Sequence, residues 1–169
     1  MKVLETDRLI LRRFSVEDAP FILALLNDPA WLKFIGDRGV RTIEDARKNI
    51  LNSHVATYER LGFGFYLTEC KSAGVPMGMC GLIKRAGLDD VDIGFAFLPQ
   101  FCGQGFAVEA AVAVMAYGKN TLDLKRIVGI TSQNNLASIK LLEKIGLKFE
   151  RMAQLPKENE EIMLFAWEA

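Results

Sequence analysis

The sequence predicts an α/β fold: one mixed, mostly antiparallel sheet of about seven strands, flanked by about four helices on both faces. Three observations carry this expectation. Strand-like runs over 63–69 and 76–84 are joined by the short turn Lys71-Ser72-Ala73-Gly74, a hairpin connection. Later strands alternate with helical stretches, which brings in crossover connections. The run 106–117 carries a single charge, Glu109, so its helix must be covered on nearly all sides.

In chain order, Arg8-Leu9-Ile10-Leu11-Arg12 reads as a first strand. Ser15-Val16-Glu17-Asp18 then opens a helix, with a cap residue and an acid three positions on, and that helix ends near Asn27-Asp28-Pro29. Thr42-Ile43-Glu44-Asp45 repeats the cap pattern for a helix running to Arg60, where Gly62 supplies a left-handed terminus. Strands over 63–69, 76–84 and 91–98 follow, the last ending at Pro99. After the helix at 106–117 come a strand at 126–131, a helix at 135–145 closed by Gly146, and strands at 148–152 and 162–167. The polar segment Pro156-Lys157-Glu158-Asn159-Glu160 is the turn between the last two. No repeat, linker or low-complexity segment divides residues 1–169.

Composition removes several function classes. The 21 basic side chains balance 21 acidic ones, and no lysine and arginine run forms the footprint of a nucleic-acid partner. The first residues lack a leader pattern and no long apolar stretch occurs, so a cytoplasmic protein with no membrane partner is expected. Cys70, Cys80 and Cys102 contain no C-x-x-C spacing, which points away from a disulfide framework or thiolate zinc site. His54 is the sole histidine, so no metal is expected and a Ser-His-Asp mechanism is disfavoured. Its polar surroundings predict a solvated surface residue.

The loop Gln100-Phe101-Cys102-Gly103-Gln104-Gly105 leads from an apolar strand into an apolar helix. Such a loop presents backbone N–H groups at the positive end of a helix dipole, which suits a phosphate or pyrophosphate. A P-loop would end Gly-Lys-Ser/Thr, whereas this one ends Gly105-Phe106-Ala107. A dinucleotide fingerprint beginning at Gly103 would need Gly or Ala where Val108 stands. Taken alone, the glycines serve a tight turn equally well.

Gln-x-x-Gly-x-Gly after a strand ending in Pro resembles the acetyl-CoA pyrophosphate loop of the GNAT superfamily of N-acetyltransferases. Glu5-Thr6-Asp7-Arg8-Leu9-Ile10-Leu11-Arg12, Asn27-Asp28-Pro29, Asp92-Ile93-Gly94-Phe95, Asn135-Leu136-Ala137-Ser138 and Leu142-Glu143-Lys144-Ile145-Gly146-Leu147 resemble the branch containing the ribosomal-protein N-terminal (alanine/serine) acetyltransferases. The resemblance spans residues 4 to 167 and implies a single N-acetyltransferase domain over 1–169, using acetyl-CoA as co-substrate. It further implies that Phe95, Ala96 and Phe97 offer backbone groups to the pantetheine, that Phe101, Cys102, Gly103, Gln104, Gly105 and Phe106 wrap the pyrophosphate, and that Asn135 contacts the cofactor near its thioester. Independently, Gly94 interrupts a good strand, which predicts a β-bulge or a close backbone approach; a bulge would turn an N–H outward to polarise the thioester carbonyl.

One departure concerns proton transfer. Many family members carry a tyrosine on the last helix to protonate the leaving thiolate, and here Leu142 takes that place. The strand at 126–131 has no carboxylate either; the resemblance implies two candidate catalytic groups, Asp92, where this branch often carries Glu, and Ser138, where the ribosomal-protein-type members can carry a serine proposed as the acid. Their ordinary alternatives are a salt bridge for Asp92 and a helix-cap bond for Ser138. Glu109 reads as satisfying backbone or a basic neighbour, and Cys102 as a conceivable acyl carrier without a base.

With a pKa of about 8 an α-amine is about a tenth neutral at pH 7, whereas a lysine near 10.4 is only about 0.04% neutral. A base-poor site therefore suits an α-amine, and the expected acceptor is a protein N-terminus. Acetylation of a small-molecule amine (amino acid, polyamine, aminoglycoside) and a catalytically silent acyl-CoA-binding regulator stay open, as does the choice of monomer or homodimer. Trp31, Phe34, Phe63, Phe65 and Tyr66 are candidates for the acceptor side.

Overall fold

Alternate residues of a strand face opposite sides of a sheet, and this period sorts the apolar residues into layers. A computed structural model of the chain describes residues 1–156 and 159–169. Among the described residues one sheet holds eight strands: β1 (Lys2–Glu5), β2 (Leu9–Arg12), β3 (Phe65–Cys70), β4 (Pro76–Lys84), β5 (Val91–Phe97), β6 (Arg126–Thr131), β7 (Lys148–Ala153) and β8 (Ile162–Glu168). Their spatial order is β1-β2-β3-β4-β5-β6-β8-β7. β5 and β6 pair in parallel, and each other neighbouring pair is antiparallel.

The helices are α1 (Ala19–Leu26), α2 (Pro29–Phe34), α3 (Ile43–Asn49), α4 (Ala56–Leu61), α5 (Phe106–Asn120) and α6 (Leu136–Lys144). On β3 and β4, Tyr66, Cys80 and Leu82 share a core with Ala110 and Val114 of α5 and Leu142 of α6. Leu67 and Met79 project to the other face, onto Ile22 and Leu25 of α1, Trp31 of α2 and Ala46 of α3. β6 and β8 split likewise: Ile127 and Phe165 join the α5 layer, while Val128 and Leu164 pack with Leu88, Ala153 and Leu155. Each fully buried Leu or Ile of these layers, such as Leu67 or Ile127, contributes about 2 kcal/mol.

Both predicted capping boxes form. The box of Ser15 and Asp18 closes a 3₁₀ turn, Val16–Asp18, directly before α1, and that of Thr42 and Asp45 starts α3. Gly62, at φ 82°, ends α4. Two elements were not anticipated. β1 is a half-exposed edge strand without apolar alternation, and α2 has six residues, too few for a periodic signal. Asp28 caps α2 by accepting from the Ala30 N–H at 3.1 Å.

The second predicted helix is divided into α3 and α4 by a π-helical stretch, Ile50–Val55. The wider turn carries His54 inward, which corrects the expectation of a surface histidine. His54 is buried and stacks on Phe14 with ring centroids 4.3 Å apart. Burial lowers its pKa to about 4 and keeps the ring neutral. Of the turn expected at 156–160, residues 157 and 158 lie outside the described residues.

Candidate active site

The parallel β5–β6 ladder holds one residue pair, Asp92 with Val128. Past it, β5 stays with β4 as far as Phe97, β6 stays with β8 as far as Thr131, and the sheet splits between them. The expected bulge at Gly94 is absent, because the β4–β5 register runs from Gly78–Phe97 to Lys84–Val91 without a shift. Gly94 meets a different need: a Cβ there would stand 2.6 Å from the Phe65 ring. Outward N–H groups arise from the ladder itself. Leu98 donates its N–H to the Met77 carbonyl at 2.9 Å. Bonded and non-bonded pairs alternate along an antiparallel ladder, so Phe95 and Phe97 turn their N–H and C=O away from β4, into the split.

The loop continues from β5. Pro99–Phe101 form a 3₁₀ turn, and Gly103 and Gly105 take φ of 77° and 83°. The first helical bond at the start of α5 runs from Glu109 N–H to Gly105 C=O at 3.0 Å. The amides of residues 103 to 108 make no backbone bond among the described residues, so they converge unpaired at the helix N-terminus. Arg8 braces this loop from the β1–β2 turn. Its Nε donates to Glu109 Oε1 (2.7 Å), its Nη1 donates to the Gln104 carbonyl (3.1 Å), and its guanidinium lies 4.2 Å over the Phe106 ring. Glu109, read as satisfying backbone or a basic neighbour, also accepts from the Arg8 N–H and the Thr6 hydroxyl.

A cleft of about 900 Å³ opens at the split. Phe95, Ala96, Phe97, Phe101, Cys102, Gly103, Gly105, Phe106, Asn135 and Ser138 all line it. Gln104 does not line it; its side chain donates to the Gln100 carbonyl at 2.9 Å. Asn135 caps α6 by accepting from the Ser138 N–H at 3.2 Å. The Ser138 hydroxyl itself makes no hydrogen bond among the described residues, unlike a serine spent on a helix cap.

Asp92 sits apart, at the closed end of the split, and is 0% exposed. Its Oδ2 accepts from Arg85 Nε at 3.1 Å and its buried Oδ1 has no partner among the described residues. Burial outweighs the Arg85 charge and raises the pKa to about 6. Leu142 is buried in the α5 layer and covers Gly129; the α6 residues that face the cleft are Ala137, Ser138, Leu141 and Lys144. Of the candidate aromatics, Trp31, Phe34 and Phe65 line the cleft. Tyr66 is buried beside Tyr58 and Tyr117, and Phe63 packs on the α5 core.

Several cleft residues had no signal in the sequence. Arg38, Arg85, Asn49, Ser53, Leu155 and Ile162 come from four separated segments and belong to no motif. Arg8 lay inside the recognised N-terminal motif, yet its brace on the loop spans 101 residues to Glu109.

Free amides in a split sheet, continued by free amides at a helix N-terminus, are an arrangement that suits the donor of an acyl-coenzyme A transferase. A family model described as "Acetyltransferase (GNAT) domain" matches residues 8–148. The chain therefore belongs to the GNAT acetyltransferase family and is an N-acetyltransferase. Among curated proteins it is 31% identical over 150 residues to the uncharacterized N-acetyltransferase YoaA of Bacillus subtilis (strain 168), covering 88% of this chain and 84% of that one. YnaD, an uncharacterized N-acetyltransferase of the same strain, is 29% identical over 157 residues, covering 92% and 89%. Among solved structures, a GNAT-family acetyltransferase from Bacillus anthracis superposes with a TM-score of 0.81 at 25% identity, over 99% of this chain and 98% of that one. RimL, a ribosomal L7/L12 α-N-protein acetyltransferase in complex with coenzyme A, shares the fold with a TM-score of 0.83 at 20% identity, over 99% and 98%.

The family uses acetyl-CoA, and the residues present fit it: unpaired amides at 103–108, positive-φ glycines that keep side chains out of the cradle, and a cleft continuous with the split. Among the described residues no group of three or more His, Cys, Asp and Glu could hold a metal ion, and no helix is long and apolar enough to cross a membrane.

Proposed function

We propose that the protein transfers acetyl from acetyl-CoA to an α-amine, most simply a protein N-terminus, by direct attack in a ternary complex. One observation carries the choice of amine: no carboxylate lines the cleft among the described residues, and the one histidine there is held neutral and weakly basic. Such a site gives little help in deprotonating a lysine, which needs far more of it than an α-amine does. The same lack of carboxylates disfavours polycationic acceptors such as polyamines and aminoglycosides.

In this reading the chain contributes mostly position and backbone electrostatics. Acetyl-CoA supplies the acyl group as an activated thioester. Phe95 N–H faces the split and is the donor for charge developing on the acyl oxygen, a contribution of about 3 kcal/mol. Gly103, Gly105 and Phe106 bind the pyrophosphate through their amides, with Arg8 holding the loop in shape. The free Ser138 hydroxyl is the candidate acid for the leaving thiolate.

The test is a thiol-release assay with acetyl-CoA and two peptide sets, one with a free α-amine and no lysine, the other Nα-blocked with an internal lysine. The free α-amine set should be turned over at least tenfold faster. Preferential acetylation of the lysine set would overturn the reading.

A further inference from the structure

The acceptor half of the cleft is lined by cations and, among the described residues, by no carboxylate. Arg85 shares a sheet face with Asp92, the face of Leu67 and Met79 that packs α1 to α3, opposite the α5 layer. Asp92 engages only Nε, so both Nη groups remain without a bond among the described residues. Arg38, in the segment after α2, is exposed, lines the same cleft and makes no ion pair or hydrogen bond among the described residues. Trp31, 7% exposed, lines the same cleft, and its Nε1–H has no acceptor among the described residues. Indole and guanidinium groups donate and cannot accept. These three side chains therefore offer donors only, and no carboxylate lines the cleft among the described residues.

Arg85 is built to present its fork. A guanidinium anchored at Nε by a buried carboxylate holds its two Nη groups as a planar edge, the geometry that suits bidentate binding of a second carboxylate. The remaining cleft cations are otherwise placed: the Lys84 ammonium donates to the Asp89 carbonyl at 2.8 Å, and Lys144 stands on α6, on the other side of the sheet.

Resting on the reading of the cleft as an acceptor site, we propose that the acceptor is an amine bearing a carboxylate close to the reacting nitrogen, held by Arg85 and Arg38. That carboxylate comes either from an Asp or Glu at the second or third position of a peptide or from the α-carboxylate of a free amino acid. The shared chemistry is an anion a few bonds from a primary amine.

Steady-state kinetics would use the full chain, acetyl-CoA, and peptides beginning Ser-Glu-Glu, Ser-Gln-Gln and Ser-Lys-Lys, with free amino acids beside their amides. The order of KM should be acidic below neutral below basic. Arg38→Ala, an exposed and unpaired position, should raise the KM of the acidic peptide about tenfold while leaving those of the neutral peptide and acetyl-CoA unchanged. Arg85→Lys keeps the charge but not the fork and should likewise raise the KM of the acidic peptide; thermal melts separate this from misfolding. Equal KM for acidic and neutral peptides, or an equal rise for both in Arg38→Ala, overturns the proposal. If free amino acids beat both their amides and the peptides with the same arginine dependence, the carboxylate recognition stands and the N-terminal reading falls. Calorimetric binding of the acidic peptide to wild type and Arg38→Ala reads the same tenfold difference without turnover, so loss of the transfer reaction alone does not decide it.

Discussion

The two halves of the cleft are made of different materials. The half proposed for the donor is backbone: outward groups of Phe95 and Phe97 and the unpaired amides at 103–108. The acceptor half is side chain, drawn from α2, the π-helical stretch, the end of β4 and the β7–β8 connection. Amides fixed by a ladder and a helix terminus present the same donors whatever side chains they carry. A wall of Trp31, Arg38, Ser53 and Arg85 can change its preference with one substitution. One half can stay fixed on a common donor while the other varies with the amine.

This contrast can be broken by titration. His54 and Asp92, both on the acceptor side, carry opposite shifts. Asp92, raised from 3.8 to about 6, gives stability at low pH that is lost as pH rises through that window. His54, lowered from 6.5 to about 4, gives stability at higher pH that is lost as pH falls from 6.5 toward 4. Each effect is about 3 kcal/mol and the two nearly cancel. Denaturant melts from pH 4 to 6.5 should therefore show wild type varying least. Asp92→Asn should gain stability with rising pH relative to wild type, and His54→Gln should lose it. Parallel profiles for the three proteins would show that the two groups are not held as described.

Next in size is Ser138→Ala, which should lower kcat about 100-fold with little change in either KM, read by pre-steady-state thiol release. A loss below about threefold would remove the serine from proton transfer.

On the donor side, Gly105→Val places a branched side chain at φ 83° beside Arg8. Strain of about 2 kcal/mol should appear as a roughly 30-fold higher KM for acetyl-CoA, with the acceptor KM unmoved. Smaller still, Arg8→Gln removes a brace of the loop and should raise the acetyl-CoA KM about tenfold. If it raised the acceptor KM instead, the division into two halves would fail.

The legibility of the chain follows the same division. The capping boxes at Ser15 and Thr42, the hairpin turn at 71–74 and the glycine loop were readable because each is a local rule closed within a few residues. β1 and α2 escaped because an edge strand and a six-residue helix give little periodicity. The bulge expected at Gly94 failed for a subtler reason. A glycine in a strand signals close approach without saying by what, and here it is the Phe65 ring, 29 positions earlier.

By itself, the sequence determined the layered α/β sheet, the glycine loop that leads into α5 and the lack of a proton donor at Leu142, because strand period, capping chemistry and glycine conformation act over short chain distances. Only the tertiary structure decided that β5 and β6 part after Asp92, that His54 turns inward, and that Arg38 and Arg85 face one cleft without a carboxylate among the described residues. Those outcomes depend on packing between segments tens of residues apart, where burial and charge are set by neighbours that no local pattern records.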